Sequence, residues 1–237
     1  MSWIGWWPLP LARHSFSTSQ GNSMTDRTFT SADLIDLFQS WKQLFAEQRE
    51  FLIALDGQVG DSDLGITMSK AFAAAADALA TEGEAAGIAK LLRTAGTTMA
   101  RAAPSTMGTL TATGFLRASK AIDGKDRLET ADMAAFWRAF RDGVAERGKA
   151  KVGDKTLLDV LDPIATTLEA SGRATLPDAL KAAADAARDA LEQTKSMVAQ
   201  HGKAAAFQQK TLGLQDAGAT VGYLVIRRMA DFVLGRL

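Results

Sequence analysis

Three aspartates, Asp56, Asp61 and Asp63, fall within eight residues of chain in the stretch "LDGQVGDSDLG", interleaved with Gly57, Gly60 and Gly65. Carboxylates this close repel one another. A chain tolerates them where a cation, or an ordered hydrogen-bond network, holds them together. Hard oxygen ligands suit a divalent cation, and magnesium in particular is bound through few carboxylates plus substrate phosphates. The competing reading is conformational: the aspartates are helix N-caps and the glycines C-caps. For one aspartate in one loop, capping is the better reading; three carboxylates in so short a span favour the cation.

Two motif readings fail. Counted from Asp61 as a calcium loop, the glycine falls at the fifth position instead of the sixth, and Phe72 stands where a bidentate Glu belongs. "GKAKVGDKT" resembles a P-loop, but Asp154 separates Gly153 from Lys155 and no strand pattern precedes it.

The elements that must position these residues are helical. The body is rich in Ala and poor in β-branched runs, and its apolar spacing is that of helices nearly throughout. Leu34, Leu37, Phe38, Trp41, Leu44 and Phe45 mark one face, continued by Leu52 and Leu55. Thr30 with Asp33 resembles a capping box ahead of it. Further helical patterns run near 65–81, 84–102, 106–121, 131–147, 155–170, 176–199 and 217–235, with Pro177 suited to a first turn and Pro163 to a local kink. The spacing therefore predicts an all-α domain of eight helices, with mostly short connections that make sequential helices antiparallel neighbours.

Helix parity then decides where the chemistry sits. In an up-and-down array the connections before helices two, four, six and eight share one end. They read "LDGQVGDSDLG", "ARAAPSTMGT", "RGKAKVGDKT" and "HGKAAAFQQKTLGLQDAGA", the stretches richest in Gly, Asp, Lys, Ser and Thr. The opposite end receives "ATEGEA", "IDGKDRLET" and "EASGRATLP", ordinary solvated turns. Each polar connection opens a helix N-terminus, where free N–H groups and the macrodipole favour anions. An anion site beside a hard-cation site reads as metal plus phosphate.

Composition sets the outer bounds. The chain has 237 residues, long enough for one sizeable domain, and 27 basic residues balance 27 acidic ones. That balance argues against nucleic acid or an anionic membrane as partner. No Cys is present, and the two His, His14 and His201, exclude a His-triad metal site. No apolar run is long enough to span a bilayer. The stretch 1–29 carries Trp3, Trp6, Trp7, Pro8 and Pro10 and then turns Ser-rich up to Met24. It reads as a disordered tail, or as sequence ahead of a start at Met24, with a targeting or membrane-surface segment as the alternative. Residues 30–237 form the single domain.

"LDGQVGDSDLGITM", "RGKAKVGDKTLLDVLDP" and "GLQDAGAT" resemble, in order and spacing, the signature stretches of the L subunit, or nucleotide-binding domain, of dihydroxyacetone kinases. The resemblance covers about residues 30–237. It implies an eight-helix antiparallel barrel holding ATP or ADP through magnesium, two ions being expected, at one rim. Carried over position by position, Asp56, Asp61 and Asp63 would be the metal ligands. Leu64, Gly65 and Thr67 would start the helix that meets the phosphates, and Gly148 and Leu157 would lie by the nucleotide. Lys203 would stand where the family has Arg, and Asp216, Ala217 and Gly218 would form the turn near the base. No catalytic side chain is expected in this chain. The family's ketone-capturing His lies on a separate K-type subunit, which is the expected partner. A phosphocarrier protein and a second copy of the chain are further expected partners, and the location implied is cytoplasmic.

The departures are specific. Leu64 replaces the family's His and Thr67 its Asn. The glycine-rich phosphate loop is replaced by Ala102, Ala103, Pro104, Ser105 and Thr106 ahead of Gly108, with Ala103 at the family's Ser. Ser105 or Thr106 would then serve the phosphate. The resemblance leaves two readings: a kinase subunit acting on a short ketose or triose held by its partner, or a nucleotide-loaded phosphoacceptor or regulatory subunit with no turnover of its own.

Overall fold

The structure is a computed structural model and describes residues 27–235. The expected all-α architecture is present. Among the described residues nine α-helices run in sequence: α1 (Ser31–Glu47), α2 (Arg49–Asp56), α3 (Leu64–Glu82), α4 (Ile88–Ala102), α5 (Thr106–Ala121), α6 (Thr130–Gly148), α7 (Leu158–Ala170), α8 (Leu176–Gln193) and α9 (Ala217–Val233). From α3 onward each helix packs against the next, α1 packs on α3, and α1 meets α9, which closes the ring. The interior is filled. Phe38, Trp41, Phe45, Phe72, Phe115, Phe136, Trp137 and Phe140 form one continuous aromatic cluster, with Phe45 and Phe72 stacked at 4.3 Å. No described helix is long and apolar enough to cross a membrane.

Local sequence explains most boundaries. Thr30 and Asp33 form the expected capping box, Thr30 Oγ1 accepting from Asp33 N and Asp33 Oδ2 from Thr30 N. Four boundaries differ from the periodicity reading. The first helix breaks at Gln48, a position with no Gly or Pro to announce it, so the expected eight helices become nine. α4 starts at Ile88, not 84, because Gly83 and Gly87 at φ 73° and 77° bracket a separate 3-10 turn. α7 starts at Leu158, not 155, because Gly153 and Lys155 take positive φ just before it. α8 stops at Gln193 instead of 199, followed by a 3-10 turn over Thr194–Ser196. Pro163 lies inside α7, which continues past it; its missing N–H costs only the bond to a carbonyl of the first turn.

Residues 27–29 belong to the packed domain and not to a tail. Phe29 is buried and exchanges backbone hydrogen bonds with Leu128, while Arg27 donates to the Val233 carbonyl and pairs with Asp33. The rest of the stretch read as a tail, with its tryptophans and His14, lies outside the described residues.

Candidate functional site

The four connections that parity puts at one rim all line a single cleft of about 470 Å³. The aspartate loop is built by its own backbone. Asp56 ends α2, and its Oδ2 accepts from the N–H groups of Asp63 (3.0 Å) and Leu64 (3.4 Å), capping α3 from outside. Gly60 is required here: a Cβ would lie 2.3 Å from Asp56 Oδ1. Ser62 adopts φ 62°, an uncommon conformation for a residue with a side chain, between Asp61 and Asp63. The result brings one carboxylate oxygen from each of Asp56, Asp61 and Asp63 to within 4.8 Å of the others. Burial, and then the charge of Asp56, raises the Asp63 carboxyl above its ordinary pKa. Lys203 reaches the cluster from across the cleft, contacting Asp61 and standing 4.0 Å from Asp63 Oδ2.

Two of the other three helix N-termini carry a side-chain cap, and ahead of the third a carboxylate ties down the loop. Ser105 Oγ accepts from Gly108 N at the start of α5 (3.1 Å), with Thr106 and Met107 on the cleft wall. Asp159 accepts from Gly153 N and Thr156 N at the start of α7, both at 2.6 Å. Asp216 Oδ2 accepts from Ala219 N at the start of α9 (2.7 Å). Burial pushes the Asp216 carboxyl up to about 6, against the opposing pull of the Ala219 N–H and of Lys155. The capping reading and the cation reading therefore coexist: Asp56 is at once a cap and a member of the cluster.

Asp56, Asp61, Asp63, Leu64, Ser105, Thr106, Gly148, Leu157, Lys203, Asp216, Ala217 and Gly218 all line the cleft. Five positions expected beside the nucleotide stand outside its wall. A Cβ on Gly65 would lie 2.1 Å from the Arg49 carbonyl, so this glycine serves the close approach of α2 to α3. A Cβ on Gly108 would lie 2.0 Å from the Ala103 carbonyl, where the loop folds back on α5. Thr67 and Ala103 are buried, and Ala102 ends α4. Sequence reasoning missed Met107, Leu110, Val144 and Ala150, an apolar wall whose members look like ordinary core positions. It also missed Lys155, seen only as part of a failed P-loop. His201 sits at the cleft edge with Nε2 3.0 Å from Asp154 Oδ2.

Fold and cleft together define a class: a closed ring of antiparallel helices with a carboxylate cluster and several helix N-termini at one rim. The family model of the DAK2 domain matches residues 58–231, and the chain belongs to that family. The "PEP-dependent dihydroxyacetone kinase, ADP-binding subunit DhaL" of Escherichia coli (strain K12) is 32% identical over 189 residues, 79% of this chain and 90% of that protein. The D-erythrulose kinase of Mycolicibacterium smegmatis is 32% identical over 199 residues, but the match covers 34% of its length. The crystal structure of the dihydroxyacetone kinase of C. freundii shares the fold, with a TM-score of 0.67 at 24% identity, covering 94% of this chain and 39% of that one. The resemblance read from the signature stretches is borne out.

Proposed function

We propose that this chain is the ADP- or ATP-binding subunit of a dihydroxyacetone-kinase-like phosphotransferase, working with a separate K-type subunit that holds the ketose. One observation carries the reading: three carboxylates and the N-termini of α3, α5, α7 and α9 converge on one cleft, which also has an apolar wall of Met107, Leu110, Val144 and Leu157. The donor set fits a hard divalent cation, all oxygen ligands at one point, with Gly60 clearing the space that the Asp56 carboxylate occupies. Asp56, Asp61 and Asp63 hold magnesium. Bound there, the ion supplies charge neutralisation at the phosphate oxygens during phosphoryl transfer. Thr106 and the first N–H groups of α5 meet the phosphates, and Lys203 adds positive potential beside them. Met107, Leu110, Val144 and Leu157 take the base.

The acceptor comes from elsewhere. His201 is the one His among the described residues, and it is engaged with Asp154 at the edge of the cleft. A docking face for the partner is at hand: the exposed large apolar side chains Phe51, Ile66, Val152, Phe207 and Leu212 all lie on segments around the rim. A phosphocarrier protein as phosphate donor, with ADP kept as a fixed phosphoacceptor, is the second reading. It is favoured by the near end-to-end match to an ADP-binding subunit of a PEP-dependent kinase. Two magnesium ions, a second copy of the chain as a partner and a cytoplasmic location complete the proposal.

Calorimetric titration of ADP with and without magnesium tests the site; equal affinity in both removes the metal-bridged cleft. The chain alone with ATP, magnesium and dihydroxyacetone is expected to yield no sugar phosphate. Turnover by the isolated chain overturns the half-enzyme reading, and ADP that survives dialysis of the purified chain selects the phosphoacceptor reading.

A further inference from the structure

One wall of the cleft is the long connection between α8 and α9. Residues 197–216 leave the end of α8, cross the mouth of the cleft and return to α9, contributing His201, Lys203 and Asp216 on the way. Very little apolar burial holds this strap: Ala199 and Thr211 are its buried residues, while Phe207 and Leu212 face solvent. One side chain meets both of its ends. Lys155 is buried, and its Nζ donates to the carbonyls of Met197 (3.1 Å), Leu214 (2.7 Å) and Thr211. An ammonium has three protons, and all three go to backbone oxygens of the strap. Met197 opens the strap and Thr211 and Leu214 close it, so one cation ties both ends together.

The neighbouring residues support the same junction. The Asp154 carbonyl accepts from Gln200 N (3.0 Å), and the Asp154 carboxylate meets His201. Thr211 Oγ1 accepts from Ala199 N (3.0 Å), and Gly213 N donates to the Lys195 carbonyl (2.7 Å). Keeping a cation in this place is costly. Lys155 is desolvated, feels the charge of Asp216 but forms no ion pair with a carboxylate among the described residues, and takes φ 60°, which disfavours any residue with a side chain. A methionine would fill the same volume without the desolvation cost. What the ammonium adds is three directed, charge-assisted bonds from a single point.

We propose that Lys155 is a positioning residue of the rim site: its ammonium clasps the 197–214 strap over the cleft, keeping Lys203 at the aspartate cluster and slowing release of a bound nucleotide. The nucleotide part rests on the function proposed above; the clasp itself does not. The Gly-Asp-Lys stretch that looks like a broken phosphate loop thus acts on backbone carbonyls. It governs how long a ligand stays and leaves the cation ligands untouched.

The test uses the full chain and Lys155→Met, with Lys155→Gln as a second variant that drops the charge but keeps two donors. Hydrogen exchange reads the clasp directly. The amides of Ala199, Gln200 and Gly213 are expected to exchange at least about ten- to a hundredfold faster, the factor for losing one of the three charge-assisted bonds, with amides inside α3 and α5 unchanged. Stopped-flow release of a fluorescent ADP analogue in magnesium is expected to quicken by about the same factor. Binding of Mn2+ in the absence of nucleotide, read by electron paramagnetic resonance, is expected to stay within about twofold, a difference of about 0.4 kcal/mol. Unchanged protection of the strap in a folded variant overturns the clasp. A loosened strap with unchanged release overturns the positioning role. Unfolding of both variants makes Lys155 a determinant of the fold and overturns the proposal too. A chain that binds no nucleotide defeats the proposed function while the exchange arm still decides the clasp.

Discussion

Asp56 is both a cap and a cluster member, and two substitutions separate the roles. Asp56→Ala removes the acceptor for the N–H groups of Asp63 and Leu64; Asp56→Asn keeps an acceptor in place and removes the charge. Loss of a cap costs about 1–2 kcal/mol. Relief of repulsion among carboxylates at this spacing contributes on the order of 1 kcal/mol in a solvated site. In the metal-free chain, Asp56→Asn is therefore expected to be about 1 kcal/mol more stable than wild type. Asp56→Ala falls below it by the cap, and for a domain of this size the two variants should differ by about 2–8 °C in Tm. Asp61→Asn caps nothing, loses an exposed pair with Lys203, and should melt near wild type. Ligand then inverts the order. With ADP present, magnesium at roughly 100 times its Kd should stabilise wild type by about 2.7 kcal/mol, and all three variants should lose that gain. Differential scanning fluorimetry with ADP, with and without magnesium, reads both effects. Equal melting of the Ala and Asn variants refutes the cap, and a full magnesium response in either refutes the ligand role.

Thr106→Ala, which touches no cap, should weaken ADP binding about tenfold by calorimetry if its hydroxyl meets a phosphate, while adenosine binding holds. Unchanged ADP affinity leaves the α5 backbone as the sole phosphate contact. Asp216→Asn keeps the α9 cap and removes a carboxyl held up to about 6 by burial. A folded pKa above the unfolded value gives stability present below about pH 4 and lost as pH rises through about 6, on the order of 3 kcal/mol. Urea melts across that window should show the wild type losing stability relative to the variant; parallel curves reject the buried carboxyl.

The family resemblance and the position of the site were legible in the linear chain, and for different reasons. Helix order and the polar rim followed from apolar spacing and parity, because a ring of antiparallel helices puts alternate connections at the same end whatever their side chains do; the count did not, since the first helix is broken in two. The three aspartates stood out because carboxylates so close along the chain repel one another. Boundaries were legible only where a residue type dictates them: the Thr30 box was, while the break at Gln48 was not, since no side chain there resists a helix.

The rest was decided in three dimensions. Gly65 and Gly108 read as ligand-side glycines, but their missing side chains make room for the Arg49 and Ala103 carbonyls, contacts between segments whose separation sequence does not state. Lys203 lies 140 residues beyond Asp63 and meets the cluster only because the strap crosses the cleft. Lys155 is the sharpest case. Flanked by Asp154 and Thr156, it looks like a surface cation seeking phosphate; folded, it is buried against three carbonyls of a segment some forty to sixty residues away. Backbone carbonyls carry no sequence signature, so a side chain whose partners are all main chain is invisible until the chain has closed around it.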